Sequence, residues 1–148
     1  MSEAVTTVRI PVACTCSRVR KAARRVSQIF DQALEPYGLT ISQYGILVSL
    51  RQNDGVSIGQ LAERMVMDPT SLTRSLKPLE RQGFISLTTD PNDRRTRRLS
   101  LTTAGLTAMR AAKPGWVKAQ TAVEAALGLD ETLALNASLD RALERLAS

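Results

Sequence analysis

Residues 57–98 read SIGQLAERMVMDPTSLTRSLKPLERQGFISLTTDPNDRRTRR, and this stretch decides the fold. Ser57 offers a hydroxyl to the first free amides of a short helix whose apolar face is Ile58, Leu61, Ala62 and Met65. Asp68-Pro69 starts a second helix, because aspartate caps well and proline suits the first helical position, where its missing N–H forfeits no intrahelical bond. Leu72, Leu76 and Leu79 then recur at helical spacing as a core face, while Thr70, Thr73, Arg74 and Lys77 fall on another. Gly83 ends the helix, and Phe84 to Thr89 reads as a strand with Ile85 and Leu87 on one side. Asp90-Pro91-Asn92-Asp93 is dense in turn formers, and Leu99, Ser100 and Leu101 alternate as a return strand. The pattern is helix, turn, helix and a two-stranded wing.

The second helix carries short hydroxyls near its start and long cations one turn later. Such a surface suits a major groove, where these groups reach phosphate oxygens and base edges. The wing adds Arg94, Arg95, Arg97 and Arg98, which repel one another unless they face a polyanion or local acids such as Asp90 and Asp93. Nucleic acid is the natural counter-charge. RNA is disfavoured, because Phe84 and two tyrosines are too few aromatics for a stacking platform.

With 148 residues and 43% hydrophobic composition, the chain suits one compact domain, or a modest domain whose core a partner completes. Its net charge of +6 is weak information until placed, and the cations concentrate in the N-terminal helix and between Pro69 and Arg98. No apolar run approaches bilayer length and no secretory signal opens the chain, so the expectation is a cytoplasmic protein without membrane association. Histidine is absent, which removes the commonest metal ligand and general base. No enzyme, metal or cofactor is therefore expected. Asp90 and Asp93 lie in a solvated, cation-rich loop that keeps them ionised and poor at general acid work.

From the N-terminus, Met1 to Ala13 lacks periodicity and reads as an arm, loose or held by a partner subunit. Cys14 and Cys16 supply only two of the four ligands of a structural zinc site, so they are small packing residues at a helix head or, alternatively, a thiol sensor. Ser17 to Leu34 is a helix with a wide apolar stripe through Val19, Ala22, Ala23, Val26, Ile29, Phe30, Ala33 and Leu34, buried along that face. Arg18, Lys21, Arg24 and Arg25 leave on the other side as a solvated face. Thr40 or Ser42 caps a helix bearing Tyr44, Ile46, Leu47 and Leu50, which Asn53-Asp54-Gly55 closes. Val56 and Ser57 add a brief third strand to the wing sheet. Pro78 removes a bond to the carbonyl of Arg74 and predicts a bend, so base contacts end by Lys77. Thr102 caps a long helix kinked at Pro114-Gly115 and ended by Gly128. Asp130 caps a last helix whose stripe of Leu135, Leu139, Ala142, Leu143 and Leu146 needs cover from a second copy.

The run Asp90-Pro91-Asn92-Asp93-Arg94-Arg95 followed by Leu99-Ser100-Leu101-Thr102-Thr103-Ala104-Gly105 resembles the wing signature of the MarR (multiple-antibiotic-resistance regulator) family of prokaryotic winged-helix repressors. Gly38-Leu39-Thr40 with Gln43, and Leu79 to Ile85, resemble other blocks of that family, and the likeness extends from about Ser17 to the C-terminus. Pro78 departs from the family pattern. The resemblance implies a mainly α fold with a small β-wing: a winged helix-turn-helix lobe over 40–101, an N-terminal arm and dimerisation helix over 1–36, and C-terminal dimerisation helices over 102–148. It implies a homodimer whose first, fifth and sixth helices interleave, bound to a palindromic double-stranded DNA operator. Thr70, Ser71, Thr73, Arg74 and Lys77 would enter the major groove, with Arg94, Arg95, Arg97 and Arg98 at the minor groove and phosphates. Asp93 would brace Arg95 or pair with Arg97. Tyr37 and Tyr44 would lie near a pocket for a small aromatic or phenolic effector that releases the DNA. Two alternatives stand beside this repressor: one responding to thiol oxidation at Cys14 and Cys16, and a winged-helix protein-interaction module that binds no DNA.

Overall fold

The computed structural model describes residues 14–147; the arm expected over Met1 to Ala13 lies outside them. Six helices and a three-stranded sheet follow in the order α1 (Thr15–Leu34), a 3-10 turn (Glu35–Tyr37), α2 (Ile41–Gln52), β1 (Val56–Ser57), α3 (Ile58–Arg64), α4 (Pro69–Arg81), β2 (Ile85–Asp90), β3 (Asp93–Leu101), α5 (Thr103–Leu127) and α6 (Leu129–Leu146). Helix, turn, helix and wing fall where the sequence pattern puts them.

Local chemistry explains most boundaries. Thr40 and Gln43 form a reciprocal capping box at α2, as do Ser57 and Gln60 at α3. Asp68 accepts the Ser71 N–H at 3.1 Å and Thr102 accepts the Gly105 N–H at 3.0 Å, which starts α4 and α5. Two expected starts shift. α1 begins before Ser17 because Cys14 occupies the cap, its Sγ accepting the Ser17 N–H at 3.5 Å. α6 begins at Leu129 after Gly128 (φ 86°), so Asp130 lies in the first turn, favourable to the helix dipole, and no side chain caps this end. α4 and α5 run on past Pro78 and Pro114 without a break in helical assignment.

The sheet order is β1-β3-β2, all antiparallel, and β1 contributes only the pairs Val56↔Leu99 and Ser57↔Arg98. β2 and β3 pair regularly from Ile85↔Leu101 to Thr89↔Arg97, then jump to Asp90↔Asp93, so Arg94, Arg95 and Thr96 bulge from the ladder near the tip.

The main core lies inside the winged lobe. Ile46, Leu47, Leu50, Leu61, Leu72 and Leu79 are fully buried there, joined by Leu34, Met109 and Ala112 from the flanking helices. A smaller cluster joins α1 to α5 through Phe30, Ala119 and Val123, with the Phe30 and Trp116 rings 6.2 Å apart. Gly115 makes this packing possible: a Cβ there would stand 2.6 Å from the Ala33 carbonyl oxygen and 2.7 Å from the Tyr37 ring.

Of the two terminal helices, α1 departs from expectation, whereas α6 leaves open the stripe that needs cover from a second copy. Of the α1 stripe only Phe30 and Leu34 are buried within the chain; Val19 is 47% exposed and Val26 36%. α6 buries only Thr132, and Leu129, Leu133, Leu135, Leu139, Leu143 and Leu146 remain exposed.

Candidate nucleic-acid interface

α3 and α4 form the helix-turn-helix. The turn between them is held by the Met67 N–H donating to the Ala62 carbonyl at 2.8 Å, and it forces Val66 into the left-handed region (φ 51°). α4 packs inward through Leu72, Leu76 and Leu79, which leaves Thr70, Ser71, Thr73, Arg74 and Lys77 all exposed on the outer surface. Thr73 Oγ1 donates to the Pro69 carbonyl at 2.9 Å, and Ser71 Oγ lies 3.4 Å from Asp68 Oδ2. Those two hydroxyl protons are occupied, so the free donors of the surface are the Thr70 hydroxyl and the Arg74 and Lys77 heads.

The wing sorts its arginines into two kinds. Arg94, Arg95 and Arg97 are exposed, and none has an ion-pair partner among the described residues. Arg98 differs. Its Nε and Nη2 donate to Asp90 Oδ2 at 2.9 and 2.7 Å, and its Nη1 donates to the Gly55 carbonyl at 3.1 Å. Arg98 therefore stands apart from the free wing cations: its guanidinium is bonded to Asp90 and Gly55, although its side chain is still 39% exposed. Asp93 holds the wing through the backbone of Arg95 rather than through an arginine head. Asp93 Oδ1 accepts the Arg95 backbone N–H at 3.0 Å and Oδ2 accepts the Thr96 hydroxyl at 2.8 Å, so its carboxylate shapes the bulge and touches no arginine head. Asp90 supplies the arginine contact instead. The Asn92 backbone N–H, bonded to Asp90 Oδ1 at 2.8 Å, and the Arg98 guanidinium together hold its carboxyl below the usual carboxylate range.

The two tyrosines are not brought together. Tyr44 is buried, which raises its phenol above the ordinary value, and it lines an open cleft of about 470 Å³ between α2 and α5. Val48 and Met109 share that cleft with Arg51, Arg110 and Lys113. Tyr37 instead packs at the 3-10 turn against Gly115, two residues from the cleft-lining Lys113, and is absent from the lining itself. Sequence reasoning missed the three cations. Arg110 and Lys113 stand at i and i+3 on one face of α5, a signal visible in the chain, but nothing in its linear order links them to Arg51.

Cys14 and Cys16 are both free thiols, the first half-buried at its cap and the second exposed. Among the described residues no group of three or more potential metal ligands occurs, and no helix is long and apolar enough to cross a membrane.

A profile described as the MarR family matches residues 39–96, which spans α2, the helix-turn-helix and most of the wing. The HTH-type transcriptional regulator SarZ of Staphylococcus epidermidis is 30% identical over 84 residues, 57% of this chain. The aligned stretch also spans 57% of that relative, a little over half its length. Among solved structures, the Mycobacterium tuberculosis transcriptional regulator MosR in complex with DNA is 32% identical with a TM-score of 0.76, over 91% of this chain and 99% of that one. The transcriptional repressor CouR bound to a 23-mer DNA duplex is 26% identical with a TM-score of 0.79, over 87% and 92% of the two chains.

Proposed function

This chain belongs to the MarR family of transcriptional regulators, and we propose on that basis that it binds a palindromic DNA operator as a homodimer and represses transcription until a small effector releases it. The relatives reported above are regulators rather than enzymes. The observation that carries the DNA reading is the set of exposed cations on α4 and the wing: Arg74, Lys77, Arg94, Arg95 and Arg97 all face solvent with no acid paired to them among the described residues. Isolated from a polyanion, that arrangement is self-repulsive; against phosphates it becomes favourable through counterion release. Two solved relatives are themselves DNA complexes.

In this reading Thr70, Ser71, Thr73, Arg74 and Lys77 lie in the major groove, and Arg94, Arg95 and Arg97 reach the adjacent minor groove and phosphates. Dimerisation rests on the apolar faces left open by one chain: Val19 and Val26 on α1, and the leucines of α6. Apolar side chains left open on these two helices favour association with a second copy. The cleft beside Tyr44 suits an anionic aromatic effector, because three cations rim an apolar floor of Val48 and Met109.

The test is selection of genomic fragments with purified protein, then titration of the enriched duplex at two salt concentrations, with and without an aromatic carboxylate. A palindrome with half-sites about 10–10.5 base pairs apart is expected. Arg74→Ala should cost about 1–3 kcal/mol and relax preference at one operator position, whereas Arg94→Ala should weaken all duplexes alike and reduce the salt slope by about 0.9. Equal losses of Arg74→Ala on operator and random DNA would refute base readout.

A further inference from the structure

Asp90 is the one buried charged residue among those described, 8% exposed, although it stands near the tip of a solvent-exposed hairpin. A carboxylate is removed from water only where partners replace the hydration it gives up. Asp90 has them: the Asn92 N–H on Oδ1, and two N–H arms of Arg98 converging on Oδ2. The third arm of the same guanidinium crosses to the Gly55 carbonyl, 43 residues upstream in the turn between α2 and β1. Gly55 answers with its own N–H, which donates to the Leu99 carbonyl at 2.9 Å. The turn is anchored in turn to the helices on either side. Asn53 Nδ2 donates to the Ser49 carbonyl of α2 at 3.0 Å, and Asn53 Oδ1 accepts from Arg64 of α3.

We propose that Arg98 is a positioning residue that clamps the wing hairpin to the 53–55 turn, and so fixes where the free arginines of the wing point relative to α4. The proposal rests on the DNA-binding reading above. β1 is only two residues long, so its ladder alone holds the wing to the rest of the lobe by little. The Asp90–Arg98–Gly55 bridge supplements that ladder at the point where the hairpin leaves the sheet. A planar guanidinium is required for it, because one ammonium lacks the fork that meets a carboxylate with two arms and a carbonyl with a third. Arg98 thus acts through the orientation of Arg94, Arg95 and Arg97 and does not meet phosphate itself.

Charge and clamp make opposite forecasts. Arg98→Lys keeps the charge and loses the fork; Asp90→Asn makes the protein more positive, which by electrostatics alone strengthens DNA binding. If the clamp operates, both variants bind the selected duplex about tenfold more weakly, the effect of losing a charge-assisted hydrogen bond. Their salt slopes stay at the wild-type value, because the wing arginines still reach phosphates once a loosened hairpin has been ordered, and hydroxyl-radical protection becomes partial at the outer flanks, where the wing lies, while protection over the half-site centres remains full. In the free proteins the Gly55 amide exchanges faster than in wild type, with thermal unfolding shifted by only a few degrees. Wild-type affinity in Arg98→Lys, tighter binding by Asp90→Asn, or a salt slope lowered by about 0.9 in Arg98→Gln would each overturn the proposal in favour of a simple phosphate contact. Unchanged Gly55 exchange in both variants overturns the clamp without reference to DNA. Failure of wild type to prefer any duplex over random DNA instead overturns the DNA-binding reading, and the wing's role with it.

Discussion

The winged lobe and the terminal helices use the same apolar residues and reach opposite ends of burial. In the lobe Leu47, Leu61, Leu72 and Leu79 are fully buried by one chain. In α6, Leu133 and Leu143 are each 57% exposed and Leu146 80%, although their spacing is as regular as any in the lobe. Periodicity therefore identifies which face of a helix is apolar and says nothing about what covers it. The lobe closes on itself because α2, α3, α4 and the sheet surround a common centre. α6 touches only α5 appreciably and leaves its stripe open.

Three changes test that contrast, taken from the largest effect on the fold to the smallest. Leu47→Ala should destabilise by about 2–5 kcal/mol, the usual result of a cavity that its neighbours cannot collapse into, measured by denaturant unfolding at any protein concentration. A loss below about 1 kcal/mol would mean that the lobe core is looser than its burial indicates. Val66→Gly should act in the other direction and stabilise by about 1 kcal/mol, because glycine adopts the left-handed turn between α3 and α4 without a β-branched side chain to oppose it. Val66 is 77% exposed, so little packing is lost in exchange, and an unchanged or lowered Tm would show that the side chain is held by contacts worth more than the strain. The double change Leu139→Glu with Leu143→Glu should alter the intrinsic stability of the lobe by no more than about 0.5 kcal/mol. Sedimentation should nevertheless shift from dimer to monomer, and operator binding should fall with it. A monomeric wild type, or a dimer untouched by both glutamates, would place the two-fold contact elsewhere.

Much of the interface was legible in the chain, and for a physical reason. The caps at Thr40, Ser57, Asp68 and Thr102, the leucine face of α4 and the Asp90–Asp93 turn all arise from interactions within a few residues. The exposure of Arg74 and Lys77 follows, since the opposite face must be core. The hydrogen-bond partners of Asp93 and Arg98 were less legible. Spacing placed Asp93 beside the arginines, but a carboxylate at a bulge can satisfy backbone as readily as a guanidinium, and here it accepts from Arg95 N–H and Thr96 Oγ1. Tyr37 and Tyr44 share a sequence neighbourhood, yet Tyr37 does not line the cleft beside Tyr44, because the 3-10 turn and Gly38 (φ 72°) separate the two rings before α2 begins.

The sequence by itself determined the helices, the caps of α2 to α5, the wing and the family to which the chain belongs, because capping, periodicity and turn chemistry are local and repeat within one or two turns of backbone. Only the tertiary structure decided that Arg98 grips Asp90 and Gly55, that Arg51 lines the same cleft as Arg110 and Lys113 beside Tyr44, and that most of the α1 stripe stays open in a single chain. Each of those depends on which surfaces meet through space, across separations as long as the 43 residues from Gly55 to Arg98, and no local interaction carries that information.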